Sequence, residues 1–544
     1  MADQPHTRPR EPFQSQSLPA DEDWPLAREQ LDAAKKAFVD AIDPDAVCSL
    51  ASSKASCSFF REQKGGSFNV CFFVEFDDEH RTRWNVRVAI MPVLRDAWAK
   101  VQSEVATMRY VRQQTTIPVA RVHAYGRHNL IRADADSTTV VATDCVYTIL
   151  DFIPGHSIDM ALTDDTQERR AHLYVQVIDV LVQLRGLEFD TGDSLYPGPD
   201  SEPDNSSESE PIIGNLLSIL DNELYTMTSG RVSVPQGSIR STAEYILYQY
   251  GCLIEAHELP SPENLEMIAQ MEVYALHNIK THILDMVASS TNNQEPFVLA
   301  HTDLRWYNIV VDDDLNVQGI IDWEWSGTVP RSLFMPPTWL AGCSPNVVTS
   351  TVYRKEYKRF YAVLTSMAGD AAMALASPAA QATTARNPYQ ELADQWGPDL
   401  PTRPFCFPLA MILQHHLQLI NIYFFAIFPK LVQPYLLPRD YLPEFFALDE
   451  KRGGALSKAV CARFEKQKRY AQYLKSNGIT TKSVLSDAAK EWLRNKAALN
   501  IKSLNNFRGL GTMGRSILDP SYDHMREHFA ESVLLESMDT WDIS

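Results

Sequence analysis

The stretch that decides the fold is FVLAHTDLRWYNIVVDDDLNVQGIIDWEW, residues 297–325. Its first four residues, Phe297–Ala300, are apolar and predict the end of a buried strand. A polar loop follows and carries His301, Asp303 and Asn308. Polar residues directly after a buried strand are typical of a functional loop that a rigid element holds in place.

The second half of the stretch predicts a tight hairpin. Ile309–Val311 is apolar and β-branched, three aspartates turn the chain, and Val317–Ile321 returns and ends at Asp322. Because a hairpin brings its two ends together, Asn308 and Asp322 should be neighbours. Asp303 hangs from the same loop as Asn308.

These three side chains fit the chemistry of phosphoryl transfer. That reaction needs a base that orients an attacking hydroxyl and hard oxygen ligands that hold Mg²⁺. Asp303 is the candidate base, and the Asn308 amide and the Asp322 carboxylate are the candidate metal ligands.

The pattern His-x-Asp-(x)4-Asn, followed by Asp after a hairpin, resembles the catalytic and metal-binding loops of the kinase fold. The wording HTDLRWYN and IIDWEW resembles the aminoglycoside phosphotransferase family, and the long C-terminal tail resembles its fungal branch. The resemblance implies an α+β, two-lobed protein-kinase-like fold: a small antiparallel β N-lobe, a large mainly helical C-lobe and a helical C-terminal extension. It also implies Mg²⁺-dependent transfer of the γ-phosphate of ATP or GTP to a hydroxyl of a small molecule, whose identity stays open.

The N-terminal part supplies candidate nucleotide-binding residues. Residues 55–91 predict three antiparallel strands, and the turn at Gly65, Gly66 and Ser67 can fold over a triphosphate and offer backbone N–H donors. By resemblance, Arg87 on the third strand holds the phosphates where most relatives carry Lys. Glu104, in the helix predicted for residues 96–114, then pairs with it.

Thr148–Gly155 resembles the hinge between two kinase-like lobes. By that resemblance, Asp151 and Ile153 contact the nucleotide base through their backbone groups. His301 supports the loop backbone and is not the base. Glu324 has two open roles, at the metal site or elsewhere.

Composition narrows the class of protein. The chain has 544 residues with 45% hydrophobic and 22% charged residues, an ordinary globular composition that predicts two or more lobes. The net charge of −19 disfavours a nucleic-acid partner. No apolar run is long enough to span a bilayer, and the eight cysteines form no CxxC pair, so we expect free thiols and a cytoplasmic setting. The oligomeric state stays open.

We divide the chain into four regions. Residues 1–45 predict a disordered tail and a leading helix, 46–153 the N-lobe, 154–345 the C-lobe with a mobile acidic insertion at 197–211, and 346–544 the helical extension. Helices are expected at several further places: 212–229, 238–290, 349–368, 408–428, 456–476 and 482–498.

Alternative functions remain. A pseudokinase keeps this fold without useful turnover, and Arg87 in place of Lys leaves room for that hypothesis. A protein-substrate kinase is less favoured because the chain has no DFG or APE motif. Residues 509–514 match the GxGxxG spacing, but a poor strand precedes them and only 30 residues follow, so a dinucleotide-binding fold is not supported.

Overall fold

A computed structural model describes most of the chain. The described residues are 24–52, 56–132, 144–158, 166–199, 210–232, 237–262, 265–290, 294–340, 351–375, 386–403, 405–432 and 437–481. They fall into two compact units. The first comprises residues up to 260 together with 265–464, and it contains every site discussed below. The second comprises 261–264 and the chain from 465 onward, of which the end of a helix is described through residue 476.

The first unit begins with two helices and a five-stranded sheet. The sheet has the strand order β1-β2-β3-β5-β4, and every neighbouring pair is antiparallel. The helix between β3 and β4 begins after Asp96, whose carboxylate accepts a hydrogen bond from the Ala99 N–H at 2.9 Å. The elements are α1 Arg28–Ala41, α2 Pro44–Ala51, β1 Cys57–Gly65, β2 Asn69–Phe76, β3 Arg83–Ala89, α3 Ala97–Gln114, β4 Val122–His128 and β5 Cys145–Asp151.

The middle of the chain mixes helices with short strands. Three small antiparallel sheets form here, ordered β13-β10-β7, β12-β11-β6 and β8-β9. The elements are β6 His156–Ser157, α4 Gln167–Arg185, β7 Glu188–Phe189, β8 Ser194–Tyr196, β9 Ile212–Gly214, α5 Ile219–Met227, α6 Thr242–Glu258, α7 Glu266–Ser290, β10 Phe297–Ala300, β11 Ile309–Val311, β12 Val317–Ile320 and β13 Gly327–Pro330.

The C-terminal part is helical. Its helices are α8 Thr351–Leu375, α9 Pro388–Trp396, α10 Cys406–Gln414, α11 Leu419–Ile422, α12 Phe428–Leu431, α13 Pro438–Lys451 and α14 Ala455–Ser476. The α+β fold of the sequence prediction is therefore confirmed, with an antiparallel N-terminal sheet and a mainly helical remainder. The lobe boundaries at 46, 154 and 346 stay predictions.

Two clusters of buried apolar residues support these elements. One lies between the N-terminal sheet and the first two helices and includes Phe38, Val47, Phe72 and Val86. The other extends from α3 through the helical part. The sheet thus contributes apolar residues to both clusters, for example Phe72 to the first and Leu150 to the second.

Some predicted elements differ from the observed ones. Residues 212–214 form a strand paired with β8, and the helix expected over 212–229 is confined to Ile219–Met227. The helix expected over 408–428 is broken: α10 ends at Gln414, a 3-10 turn follows, and residues 423–427 form a π-helix between α11 and α12. The segments 482–498 and 509–514 and most of the acidic insertion lie outside the described residues. None of the described helices is long and apolar enough to cross a membrane.

Candidate active site

The polar loop between β10 and β11 holds Asp303 and Asn308 together. The Asn308 amide nitrogen donates to the Asp303 carbonyl at 2.9 Å and lies 3.3 Å from its carboxylate. Arg305 Nε lies 2.5 Å from the same carboxylate. Burial raises the pKa of Asp303 to about 6, and the charges of Asp322 and Glu324 act in the same direction against Arg305.

The hairpin delivers Asp322 beside Asn308, as predicted. The Ile321 N–H donates to the Asn308 carbonyl at 3.0 Å, and Asp322 adopts a φ of +62° directly after it. A left-handed backbone at an aspartate is uncommon and re-aims its side chain out of the strand. His301 Nε2 lies 2.9 Å from the Ile321 carbonyl, so His301 supports the loop backbone, as expected.

The oxygen groups of Asn308 and Asp322 fit Mg²⁺ by their chemistry. The amide nitrogen of Asn308 is engaged with Asp303, which leaves its amide oxygen for another partner. The Asp322 side chain is 36% exposed, so its carboxylate remains accessible. Within the described residues there is no cluster of three or more His, Cys, Asp or Glu residues that forms a metal site. Two protein oxygens, completed by phosphate and water, are typical of Mg²⁺ sites in phosphoryl-transfer proteins.

Arg87 links the N-terminal sheet to this loop. Its guanidinium contacts the Glu104 carboxylate of α3, the pairing that the resemblance implied, and lies 2.5 Å from Asp322. Burial alone would lower the pKa of Arg87, but the carboxylates of Glu104, Asp322 and Glu324 raise it well above its ordinary value. Arg87 is therefore a fixed positive charge at the junction of the two elements.

Two neighbours of Arg87 were missed by the sequence analysis. Lys100 is only 1% exposed; its ammonium contacts the Glu324 carboxylate and donates to the Asn69 side chain at 3.0 Å. Asn69 also donates to Glu324 at 2.5 Å. The available signals were that Lys100 precedes Glu104 by one helical turn and that Asn69 follows the glycine turn.

The glycine turn lies close to the loop that carries Asp322. Gly66 closes the turn with an N–H that donates to the Asn69 carbonyl at 2.7 Å. No atom lies within 4 Å of a Cβ built on Gly65, and Ser67 is exposed. The Phe68 ring packs edge-on against Trp325, with 5.0 Å between their centroids. The turn is thus anchored on one side and open on the other.

The hinge segment has fewer free backbone groups than the sequence suggested. The Asp151 N–H donates to the Arg121 carbonyl at 3.0 Å, and the Asp151 carboxylate lies 2.6 Å from His123 Nε2. The N–H and the carboxylate of Asp151 are therefore both engaged within the protein. The Ile153 side chain packs against Gly319, in the space that a Cβ at Gly319 would occupy.

On the side of the loop that carries Arg305, acidic and imidazole groups come together. His416 Nε2, after α10, lies 3.9 Å from the Glu223 carboxylate of α5. Burial raises the pKa of Glu223 to about 7, with the charges of Arg28 and then Arg305 opposing it. Burial, and then Arg305, lowers the pKa of His415 to about 3. The Glu223 side chain is nevertheless 41% exposed, so solvent reaches its carboxylate.

The part of the chain that carries these residues matches a known protein family. Residues 72–332 match the model of the phosphotransferase enzyme family (APH). Residues 72–332 belong to this family. The segment includes Arg87, Glu104, Asp303, Asn308 and Asp322, while Asn69 lies just before it.

Individual relatives of the APH segment are distant. The chain is 22% identical over 247 residues to the clavilactone A biosynthesis cluster protein Y of Ampulloclitocybe clavipes, a match that covers 45% of this chain. The chain spans about half (54%) of the length of that relative. Its fungal source agrees with the fungal branch named from the sequence.

Several solved structures are similar to the chain. An ethanolamine kinase of Plasmodium vivax is 14% identical, with a TM-score of 0.33, 70% of this chain covered and 80% of that one. The aminoglycoside phosphotransferase APH(4)-Ia is 12% identical, with a TM-score of 0.35 and coverages of 78% and 98%. The macrolide 2'-phosphotransferase of Brachybacterium faecium is 11% identical, with a TM-score of 0.30 and coverages of 59% and 82%.

Proposed function

We propose that the protein is a Mg²⁺-dependent phosphotransferase that moves the γ-phosphate of a nucleoside triphosphate, ATP or GTP, to a hydroxyl of a small molecule. The observation that carries this proposal is the junction at Arg87. A fixed cation from the sheet contacts Asp322, and the same hairpin places Asn308 and Asp303 beside it. Positioning and charge stabilisation are the main tasks of a phosphotransferase, and this network can perform both.

Asp303 is the proposed base. Its carboxylate orients the acceptor hydroxyl and takes the proton as the new O–P bond forms. The bond between the γ-phosphorus and the bridging oxygen breaks, so a phosphomonoester and a nucleoside diphosphate leave. Arg305 and Asn308 fix the carboxylate from two sides, at 2.5 and 3.3 Å. Because the carboxylate is already held in one orientation, the reaction does not bear the entropic cost of orienting it.

Asn308 and Asp322 are the proposed holders of Mg²⁺. When bound, the ion offsets the negative charge of the phosphates. Arg87, held by Glu104, provides a further positive charge toward those phosphates. The turn at Gly65, Gly66 and Ser67 covers the phosphates; because the Gly66 N–H already donates to the Asn69 carbonyl, its neighbours in the turn provide the donors. The Asp151 carbonyl and the Ile153 backbone contact the base.

The side of the loop that carries Arg305 is the proposed acceptor side. Glu223 and His415 come from α5 and the end of α10, so the C-terminal helices contribute to it. The extension is also fixed to the segment after the metal-binding loop. Trp396 donates its indole N–H to the Phe334 carbonyl at 2.9 Å, and Gln414 donates to the Leu333 carbonyl at 3.3 Å. Residues from a different part of the chain can determine which acceptor binds without altering the phosphate site.

The direct test is phosphate transfer from radiolabelled ATP and GTP to a panel of small hydroxyl compounds, with Mg²⁺ and with EDTA. We expect a labelled phosphomonoester from at least one compound, dependent on Mg²⁺ and absent with Asp303→Ala. Nucleotide binding with no transfer to any compound would support the pseudokinase alternative. Transfer that survives Asp303→Ala would exclude that residue as the base.

A further inference from the structure

The role left open for Glu324 is settled by its surroundings. Its carboxylate contacts the Lys100 ammonium and accepts a hydrogen bond from Asn69 at 2.5 Å. These partners come from α3 and from the first residue of β2, while Glu324 follows Asp322 by two residues. We infer that Lys100 is a positioning residue that, with Asn69, holds Glu324 and thereby fixes the metal-binding loop. We call these three residues the Lys100 clamp, and the inference rests on the function proposed above.

All three residues of the Lys100 clamp are buried and depend on one another. Lys100 is 1% exposed, Asn69 6% and Glu324 7%, so all three polar groups have been removed from water. A buried ammonium or carboxylate is costly unless it is paired and hydrogen-bonded. Each member meets both others, which satisfies the triangle internally. Moving any one of them leaves a buried charge or amide without its partner.

The distribution of charge explains why a second cation is present. Two cations, Arg87 and Lys100, face three carboxylates. Arg87 contacts Glu104 and Asp322 directly, while the Glu324 carboxylate lies 3.7 Å from it. Lys100 therefore offsets the charge that Arg87 does not contact. Glu324 then acts as an anchor of the loop rather than a ligand of the metal.

The anchor acts on Asp322 over a short, rigid path. Trp323, between the two acids, is 1% exposed and donates its indole N–H to the Ile320 carbonyl at 2.9 Å. Trp325, on the other side, also has a left-handed backbone, with a φ of +64°. A loop with two such residues stays in place only when its surroundings hold it. The Lys100 clamp is a contact that can do so.

The test is the Mg²⁺ concentration that gives half-maximal nucleotide binding. We expect Lys100→Met to raise this midpoint by about 10- to 100-fold, as is typical when a group that supports a metal ligand is removed. Nucleotide affinity in EDTA should stay near the wild-type value. The matched control is Arg170→Met, which breaks another buried ion pair, with Glu356 of α8. It should lower the melting temperature and leave the midpoint unchanged.

A double-mutant cycle tests the clamp even if a single variant folds poorly. Lys100→Met leaves Glu324 buried beside fewer charges, and Glu324→Gln does the same to Lys100, so each should lower the melting temperature. The double variant removes both charges. Its loss of melting temperature should therefore be smaller than the sum of the two single losses. Additive losses would show that the two residues are not coupled and would overturn the clamp.

These measurements separate the clamp from the proposed function. If no variant, nor the wild type, binds nucleotide, the proposed function fails, while the melting cycle still decides whether the pair is coupled. A coupled cycle with an unchanged Mg²⁺ midpoint in Lys100→Met would make Lys100 merely structural. That result would overturn its positioning role.

A separate observation concerns two thiols at the edge of the N-terminal sheet. Cys48 of α2 and Cys57 of β1 have their sulfur atoms 3.0 Å apart, and Ser52 Oγ lies 3.1 Å from the Cys57 sulfur. Both cysteines are partly exposed. We propose that they form a modification site for disulfide reagents such as oxidised glutathione. One thiolate attacks the reagent, the second displaces the bound glutathione thiolate, and two glutathione thiols are released per protein disulfide.

Burial and the Cys57 thiol raise the pKa of Cys48 to about 11, so the exchange should be slow at neutral pH. After incubation with oxidised glutathione, we expect a peptide pair linked through Cys48 and Cys57 and a higher melting temperature. Cys48→Ser should abolish both, while Cys406→Ser, which removes an exposed thiol elsewhere, should change neither. Stable glutathione adducts on the two cysteines, or two unmodified thiols, would overturn the proposal.

Discussion

The ionic network around Arg87 and the aromatic cluster around Tyr274 are stabilised by different interactions. Around Arg87, cations and carboxylates from α3, the sheet and the hairpin contact one another. In the aromatic cluster, Tyr274 of α7 meets the rings of Phe428 and Phe445 at centroid distances of 6.0 and 4.8 Å. Ring packing is stable without a ligand. A network with an excess of carboxylates is suited to a cation that arrives later.

The largest effect that separates the two regions is expected from Asp303→Ala. Loss of a general base typically lowers the rate by about 10²- to 10⁴-fold. The substitution should reduce kcat by that range and leave the melting temperature near that of the wild type, because the residue does not support the apolar core. Steady-state rates with saturating substrates, together with a melting curve, give both values. An unchanged kcat would contradict the assignment.

The aromatic cluster should show the opposite behaviour. Phe428 is 1% exposed, and Phe428→Ala should cost about 3–5 kcal/mol of unfolding free energy, as for other large buried rings. Urea denaturation measures this loss, and the Mg²⁺ midpoint for nucleotide binding should not move. Phe425 of the same segment is 43% exposed, so Phe425→Ala is the matched control and should change stability by less than about 0.5 kcal/mol. Equal losses would contradict the described packing.

A smaller effect tests the proposed acceptor side at Glu223. Glu223→Gln should raise the KM of the acceptor by about tenfold, the value of one hydrogen bond to a charged group. The KM of the nucleotide should stay constant because Glu223 is not part of the phosphate site. Initial-rate measurements with each substrate varied in turn distinguish these outcomes. A change confined to the nucleotide KM would place Glu223 elsewhere.

The smallest effect is a pH dependence of stability in the helical part. Burial alone would raise the pKa of Glu272, but the His257 hydrogen bond and the Arg463 charge lower it below its ordinary 4.5. A carboxylate with a lowered folded-state pKa stabilises the protein above its unfolded pKa, and this contribution disappears as the pH falls through the folded value. Glu272→Gln should therefore lower the melting temperature at about pH 7, with the difference shrinking below about pH 4.5. A difference that does not depend on pH would exclude this linkage.

The two regions also differ in what the sequence could predict. The hairpin was predictable because a short β-branched run, a three-aspartate turn and a spaced motif all indicated the same geometry. The Lys100 clamp was not, because the burial of a lysine on α3 depends on an element 224 residues later in the sequence. A helical lysine is ordinarily exposed, and nothing local marks the exception.

The C-terminal helices show a different limit. Residues 408–428 are apolar enough to suggest one buried helix, yet Leu417 is 64% and Phe425 43% exposed. The backbone at His415, with a φ of −130° and a ψ of 68°, ends α10 there. The break brings His415 and His416 toward Arg305 and Glu223, which lie far away in the sequence. Apolar content alone cannot reveal a break that depends on such neighbours. Here the tertiary arrangement overrides local preference.

The central claim is that the hairpin end at Asp322 holds Mg²⁺ for a bound nucleotide. The most direct measurement is the thermal stabilisation of the wild type and of Asp322→Ala by ATP and GTP, each with Mg²⁺ and with EDTA. We predict a rise in melting temperature for the wild type that requires Mg²⁺ and that Asp322→Ala loses. Equal stabilisation of both proteins, or no stabilisation of the wild type under any condition, would contradict the claim.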